Sequence, residues 1–381
     1  SWWTVEKLTS LLVDVGFNNI KIVDKNNSTC DLFLGKKFNK NKPDQSFFLE
    51  AIKISWYRMD MKYNILVMTP IKNIAGVYEV LQECGKIIYL EDPTITEVEK
   101  IIKGIDIIFT NPNKSKVFIG EDLIKKAKNL KIICTASTGT NHIDIKFAKN
   151  QKIKIISLTK EYDTIKKISS TAELAFALTL ASLRNLYQGI NSVLDNQWNY
   201  SNFIGRQMNF LKVGIIGYGR LGSIYASYCK AFGSQVYTYD PYKVVKNKGI
   251  KQIDSLDKLL NYSDVISLHL HVNEETQEII NARNLLHMKK DAILINTSRG
   301  ELINEEDLVN FLSLNPLFKV ASDVLSNEIR NKESSPLLAY AKLSNQVIIT
   351  PHIGGMTKEA QEIAYGKVAN NLLNYLREIE L

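Results

Sequence analysis

Little in this chain points to cross-linking, metal binding or membrane insertion. Of its 381 residues four are cysteine, Cys30, Cys84, Cys134 and Cys229, too far apart to form any C-x-x-C pair. That spacing argues against both a disulfide framework and a thiolate zinc site, and a reducing cytoplasm is the expected compartment. Histidine is also scarce, with five residues. His269 and His271 share one face of a strand end, but no third ligand stands near them in sequence, so no metal is expected. The longest apolar run, Leu174 to Leu183, follows Glu173 and falls well short of the roughly 20 residues that cross a bilayer. Neither a membrane partner nor a signal peptide before the first domain is expected. The formal net charge is +8, yet the lysines are scattered rather than gathered into a stripe with interleaved aromatics, so no nucleic-acid partner is expected either.

What the chain does have is alternation. Between Lys62 and Ser157 five short β-branched runs occur: Tyr63-Asn-Ile-Leu-Val-Met, Lys86-Ile-Ile-Tyr-Leu, Ile105-Asp-Ile-Ile-Phe, Lys131-Ile-Ile-Cys-Thr and Ile153-Lys-Ile-Ile-Ser. Amphipathic stretches separate them, which implies a parallel sheet covered on both faces. One long helix is expected over Ser170 to Val193. A second series follows: Val213-Gly-Ile-Ile, Val236-Tyr-Thr-Tyr, Val265-Ile-Ser-Leu, Ala292-Ile-Leu-Ile, Lys319-Val-Ala-Ser and Val347-Ile-Ile-Thr. Six such strands make a doubly wound sheet of their own. A final helix, Lys358 to Glu380, has no strand left to cover and is expected to return to the first sheet. The fold class is therefore α/β, with two doubly wound parallel-sheet domains and a cleft between them.

The second series opens on Val213-Gly-Ile-Ile-Gly-Tyr-Gly-Arg-Leu-Gly222, a strand running into a glycine turn that starts a helix. Gly217 allows the tight turn, Gly219 lets backbone N–H groups approach a pyrophosphate, and Gly222 lets the helix pack closely on the strand. Asp240 ends the next strand eighteen residues after Gly222. An acid there accepts a hydrogen bond from a ribose 2′-OH and repels a 2′-phosphate, which favours NAD over NADP.

Three later segments carry polar groups where a core would not want them. Leu294-Ile-Asn-Thr-Ser-Arg-Gly300 ends an apolar strand in an arginine, whose planar fork suits a carboxylate. Val320-Ala-Ser-Asp-Val-Leu-Ser-Asn-Glu328 delivers Asp323 and then Glu328, and Ile348-Ile-Thr-Pro-His-Ile-Gly-Gly355 places His352 just past the last strand. All three lie at carboxyl ends of strands, where open parallel sheets bind ligands. A histidine base oriented by a carboxylate, beside an arginine, suits oxidation of a 2-hydroxy acid, in which C2 loses a hydride and the hydroxyl a proton.

In this order, with Ser137-Thr-Gly-Thr-Asn-His-Ile-Asp144, Ser170-Thr-Ala-Glu173 and His352-Ile-Gly-Gly-Met-Thr-Lys-Glu-Ala360, the segments make residues 62 to 380 resemble the D-isomer-specific 2-hydroxyacid dehydrogenases. The resemblance implies an NAD-dependent oxidoreductase with a Rossmann NAD-binding domain and a discontinuous, flavodoxin-like substrate domain. It implies catalytic Arg299, Glu328 and His352. Cofactor contacts are implied at Thr138, Gly217, Gly219, Arg220, Leu221, Gly222, Asp240, Thr297 and Asp323, with the nicotinamide amide near Asp323. Backbone N–H groups of Ser137, Thr138 and Gly139 would join Arg299 on the substrate carboxylate. The expected domains are a short appendage, 1–60; the first part of the substrate domain, 61–160; the NAD-binding domain, 161–350; and the substrate domain's return, 351–381. A homodimer through the helix from Ser170 is expected, as in the family.

The chain departs from the family pattern in places. Ile329 stands where proline is usual, and Asn141 where an acid is common. The loop Phe109 to Lys116 has Lys114 and Lys116 but none of the arginine with which phosphoglycerate dehydrogenases meet a substrate phosphate. A phosphoglycerate or hydroxypyruvate/glyoxylate enzyme is the nearest alternative, and an NAD(H)-sensing interaction module of the same fold is the rival of another class. No serine-binding regulatory domain is expected after Leu381. His142 reads as a hydrogen-bonding turn residue and His287 as a helix-end residue. In the appendage, a helix from Val5 to Val15 capped by Thr4 and strands at Asn19 to Val23 and Cys30 to Leu34 are expected. Its Trp3-Thr-Val-Glu-Lys-Leu and Val15-Gly-Phe resemble the tail of a class I methyltransferase domain, without the glycine-rich loop that methyl transfer needs.

Overall fold

The computed structural model describes residues 18–23, 48–52, 63–112 and 117–380. The chain divides into two compact units, Ser1–Lys62 and Tyr63–Leu381. In the first, β1 (Asn18–Val23) pairs antiparallel with β2 (Phe48–Ile52). The strand expected at Asn19 to Val23 is thus β1, whereas the expected helix Val5 to Val15 and strand Cys30 to Leu34 lie outside the described residues.

The second unit holds two parallel sheets. The first comprises β3 (Asn64–Val67), β4 (Lys86–Tyr89), β5 (Ile107–Thr110), β6 (Ile132–Thr135) and β7 (Lys154–Ser157), in the order β4-β3-β5-β6-β7. The second comprises β8 (Lys212–Ile216), β9 (Gln235–Tyr239), β10 (Ile250–Gln252), β11 (Val265–Leu268), β12 (Ile293–Asn296), β13 (Lys319–Ser322) and β14 (Val347–Ile349). Its order is β10-β9-β8-β11-β12-β13-β14. The central strands β5, β6, β11 and β12 are buried along their whole length, because helices cover both faces.

This second sheet has seven strands, not the six expected. The extra one, β10, is three residues at the sheet edge with Lys251 and Gln252 exposed, so neither length nor apolarity marks it in the sequence. The single helix expected over Ser170 to Val193 is also two, Ser170–Leu183 and Leu186–Leu194. Between them Asn185 adopts φ 50°, a left-handed conformation that asparagine tolerates. Lys319 Nζ holds the break by donating to the Ser182 carbonyl at 3.0 Å and to Asn185 Oδ1 at 2.5 Å, a cation on the carbonyl end of a helix.

The helix Ser170–Leu183 packs on β12, β13 and the helix Arg220–Ala231. The helix Lys358–Glu380 packs on β6, β7 and the helix Val77–Cys84 of the five-stranded half. Asn371 Nδ2 donates to Glu161 at 2.7 Å there. In each sheet the first strand has neighbours reached by crossovers to opposite sides, which opens a crevice at its carboxyl end. Ile216 of β8 lies in register with Tyr239 and Leu268, so Gly217, Asp240 and His269 leave the sheet at one level. Among the described residues no helix is long and apolar enough to cross a membrane.

Candidate functional site

At the end of β8, Gly217 has φ 90°, and a Cβ there would strike the His269 carbonyl. A Cβ on Gly222, in the first turn of the helix Arg220–Ala231, would run into the Gly217 carbonyl. At Gly219, which caps that helix, nothing lies within 4 Å of a Cβ, and no side chain caps the first amides. Two glycines therefore shape the turn, and the third leaves the helix N-terminus open, as anion binding requires. Asp240 is fixed beside it: Oδ2 accepts the Tyr218 N–H at 2.8 Å and Oδ1 the Tyr242 N–H at 3.0 Å. Leu221 packs on the apolar core beneath the helix. The Arg220 guanidinium donates to the Ile168 carbonyl, in the segment joining the two sheets, and its partial burial lowers its pKa. Thr297, past β12, is buried with its hydroxyl unpartnered among the described residues. An open helix N-terminus, an acid beside it and a spare buried hydroxyl fit a dinucleotide.

The neighbouring strand ends build a second cluster. Asn296, fully buried at the end of β12, accepts from the Ser298 N–H at 3.0 Å and donates to the Arg299 carbonyl at 2.8 Å, which fixes the turn that presents Arg299. Arg299 Nη1 donates to the Ser298 carbonyl at 2.6 Å. The guanidinium lies against Gly139 of the five-stranded half, where a Cβ would overlap it. Thr138 accepts the Thr159 hydroxyl at its carbonyl at 3.1 Å. The Gly139 N–H is not free for a carboxylate, as had been expected, because it donates to Ser137 Oγ at 3.0 Å. A hydroxyl two residues upstream makes that local turn readily.

His352 follows β14 with φ 55°. Its Nδ1 lies 2.6 Å from Glu328 Oε1, and Glu328 Oε2 accepts the Leu325 N–H at 3.3 Å. A carboxylate oxygen accepts, so Nδ1 is the donor and the ring is fixed with Nε2 on the side away from Glu328. Asp323 is buried and grips both sides of the histidine. Its Oδ1 accepts the Thr350 hydroxyl at 2.5 Å and the Ile353 N–H at 2.8 Å, and Oδ2 accepts the Gly354 N–H at 2.8 Å. Burial raises the Asp323 pKa against these bonds, which lower it. The residue expected beside the nicotinamide amide is thus chiefly engaged with the histidine loop.

The other histidines play different parts. His142 is fully buried; its carbonyl accepts the Ile119 N–H at 2.9 Å, but neither ring nitrogen has a partner among the described residues. The expected hydrogen-bonding turn residue is therefore so only through its backbone. Burial, and then the Arg299 charge, push the His142 ring down to about 3. His269 Nε2 lies 2.9 Å from Ser267 Oγ, and burial pushes this ring down to about 3 as well. His271 is lowered by burial and by Arg299 and Arg220. His287, just past the short helix Ala282–Leu285, lies 3.6 Å from Asp257. Among the described residues no three His, Cys, Asp or Glu are grouped to hold a metal ion. Asn296 stands in the segment quoted from the sequence but has no role assigned there, although an amide ending an apolar strand is itself a signal that the strand end is doing something other than packing.

Comparison with known proteins bears on the chain as a whole. Residues 176–354 match the model of the D-isomer specific 2-hydroxyacid dehydrogenase, NAD binding domain. D-3-phosphoglycerate dehydrogenase of Methanocaldococcus jannaschii is 32% identical over 82% of this chain, and the chain spans only 57% of that relative's length. Hydroxypyruvate reductase of Thermotoga maritima is 34% identical over 70% of this chain and 83% of its own length. D-lactate dehydrogenase from Aquifex aeolicus, solved with NAD and lactic acid, has a TM-score of 0.70 at 29% identity and covers 83% of this chain and 96% of its own. The seven-stranded half is an NAD-binding domain, and the chain belongs to the D-isomer specific 2-hydroxyacid dehydrogenase family.

Proposed function

We propose that the chain is an NAD-dependent oxidoreductase that interconverts a D-2-hydroxy acid and its 2-keto acid, with Arg299, Glu328 and His352 as the catalytic residues. The observation that carries this reading is the 2.6 Å bond from His352 Nδ1 to Glu328, at the same strand edge as Arg299. Bound in the cofactor domain, NAD would supply the acceptor for the C2 hydride. In oxidation His352 Nε2 takes the hydroxyl proton, and Glu328 stabilises the imidazolium that results; in reduction the ring returns the proton. Arg299 holds the carboxylate through its planar fork and polarises the C2 oxygen. With the Gly139 N–H engaged, the amides of Ser137 and Thr138 serve the second carboxylate oxygen. Gly217, Gly219, Arg220, Leu221 and Gly222 would hold the pyrophosphate through their backbone, Asp240 the ribose hydroxyls, and Thr138 and Thr297 the nicotinamide side, with Asp323 behind them, bonded to the histidine loop.

On this reading 161–350 is the cofactor domain, and 61–160 with 351–381 is the substrate domain. The names of the relatives put hydroxypyruvate and the keto acid of 3-phosphoglycerate beside pyruvate, the keto acid of lactate, among the acids to try, and glyoxylate joins them from the sequence alternative; Lys114 and Lys116 lie outside the described residues. A second copy of the chain is the proposed partner. The helix Leu186–Leu194 turns Ile190 and Leu194 outward, 51% and 73% exposed, and Trp198 beyond it is 89% exposed, an apolar band that favours burial against its symmetry mate. The buried, unpaired thiols of Cys84, Cys134 and Cys229 suit the cytoplasm. A peptide-binding module would need an apolar patch on the five-stranded half, where large exposed apolar side chains among the described residues are few: Ile95, Ile353 and Ile379, with Tyr162 at its border.

The test is NADH oxidation against a panel of 2-keto acids, with Arg299→Ala beside it. Turnover on one acid that falls by several kcal/mol of transition-state stabilisation in the variant supports the reading. Tight NADH binding without turnover on any acid overturns it.

A further inference from the structure

Glu305 is a buried acid to which the chemistry above assigns nothing. It is the first residue of the helix Glu305–Leu314, capped by Asn304, and its side chain is 6% exposed. A carboxylate in that position must be satisfied on several sides. Oε1 accepts the Ser326 N–H at 2.7 Å; Oε2 accepts the Ser335 hydroxyl at 2.5 Å and the Leu337 N–H at 3.4 Å. The helix N-terminus adds favourable partial charge.

The placement of Ser326 gives these bonds their meaning. Its neighbour Leu325 donates its own N–H to Glu328 Oε2, and Glu328 Oε1 meets His352 Nδ1. Two consecutive amides are thus held by two carboxylates, Glu305 on one and Glu328 on the other. The same stretch of backbone abuts Gly300, where a Cβ would strike Leu325 and Ser326. Gly300 directly follows Arg299. The loop bearing Glu328 and the turn bearing Arg299 are therefore pressed together at Gly300 and tied at Glu305, five residues further along the same chain segment.

We propose that Glu305 is a positioning residue: by holding the Leu325–Ser326 backbone it sets where Glu328 meets His352 relative to Arg299. The inference rests on the proposed roles of Glu328 and His352. A displacement of about 1 Å at a reacting group costs up to roughly 100-fold in rate.

The experiment compares four variants in the full chain for keto-acid reduction, NADH affinity by fluorescence, and the pH profile of kcat. His352→Asn tests the parent reading alone and should bind NADH without turnover; wild-type turnover there would sink the catalytic assignment, and this proposal with it. With that variant inactive, Glu305→Ala should lose about 10- to 100-fold in kcat, keep its NADH affinity, and show a displaced ionisation in the pH profile. Glu305→Gln, whose amide oxygen still accepts the Ser326 N–H, should recover most of the loss. Ser335→Ala removes the hydroxyl that donates to Glu305 and caps the helix Pro336–Ala341 at the Leu338 N–H, but leaves the Ser326 tie in place, and should leave kcat and the pH profile as in wild type. A folded Glu305→Ala with wild-type kcat and pH profile overturns the proposal while the parent reading stands. Should the alanine variant not fold, Glu305→Asp is read in its place, because a carboxylate one bond shorter falls short of the Ser326 N–H that Glu305 now meets at 2.7 Å; wild-type behaviour there would be equally fatal.

Discussion

Two residues show how much of this site depends on what surrounds the reacting groups. Gly139 is close enough to Arg299 that a methyl group would overlap the guanidinium. Gly139→Ala should therefore act as an indirect arginine variant, lowering kcat/KM for the keto acid by about 10- to 100-fold. NADH affinity, followed by fluorescence titration, should stay near wild type, because the glycine turn at Gly217 is untouched. Asp323 poses a sharper choice, since a residue resembling a nicotinamide contact spends both oxygens on Thr350, Ile353 and Gly354. In Asp323→Asn one acceptor becomes a donor facing a backbone N–H, which costs about 1–3 kcal/mol locally and releases His352 from φ 55°. Steady-state assays should show kcat falling with NADH affinity little changed; a fall chiefly in NADH affinity would mark Asp323 as a cofactor contact instead.

At the scale of elements the sequence was most legible where a strand is long, apolar and ended by a conspicuous residue. The glycine turn, Asp240, Arg299, Glu328 and His352 could all be placed at strand ends from the order of runs and breaks, and the structure puts them on one edge. It was least legible where a long-range contact decides the outcome. Nothing local in Arg184-Asn185 marks a helix break; Lys319, brought over by β13, holds it. Glu305 reads as one acid in an ordinary helix start until the fold carries Ser326 and Ser335 to it. The break at Asn185 also turns the helix Leu186–Leu194 outward with its apolar residues exposed. If a second copy covers that helix, Leu194→Glu should convert the dimer to a monomer in analytical ultracentrifugation. The cofactor-binding edge, built from other elements, should still take NADH in the monomer.

For the whole molecule the buried histidines predict a sensitivity to acid. The folded pKa of His142 is pushed down to about 3 by burial and by Arg299, against roughly 6.5 for an exposed ring. Between those values the unfolded chain binds a proton that the folded chain refuses. The contribution is therefore fully present above pH ~6.5 and is lost as pH falls, at up to about 1.4 kcal/mol per pH unit for one group. His269, also pushed down to about 3, has the same sign. Asp323 and Glu83, whose carboxyl pKa values are raised by burial, have the opposite sign: their contribution is larger below the folded pKa and is lost as pH rises through it. Because the opposing groups overlap, the slope of the wild-type protein alone does not isolate either set, and a difference does. His142→Leu removes the titration while keeping an apolar side chain of similar size in a site where both ring nitrogens lack partners. Urea unfolding at pH 7 and pH 5 should give a smaller loss of stability for the leucine variant than for wild type. Equal losses in the two proteins would mean that His142 takes up its proton in the folded state and that its burial does not govern acid sensitivity.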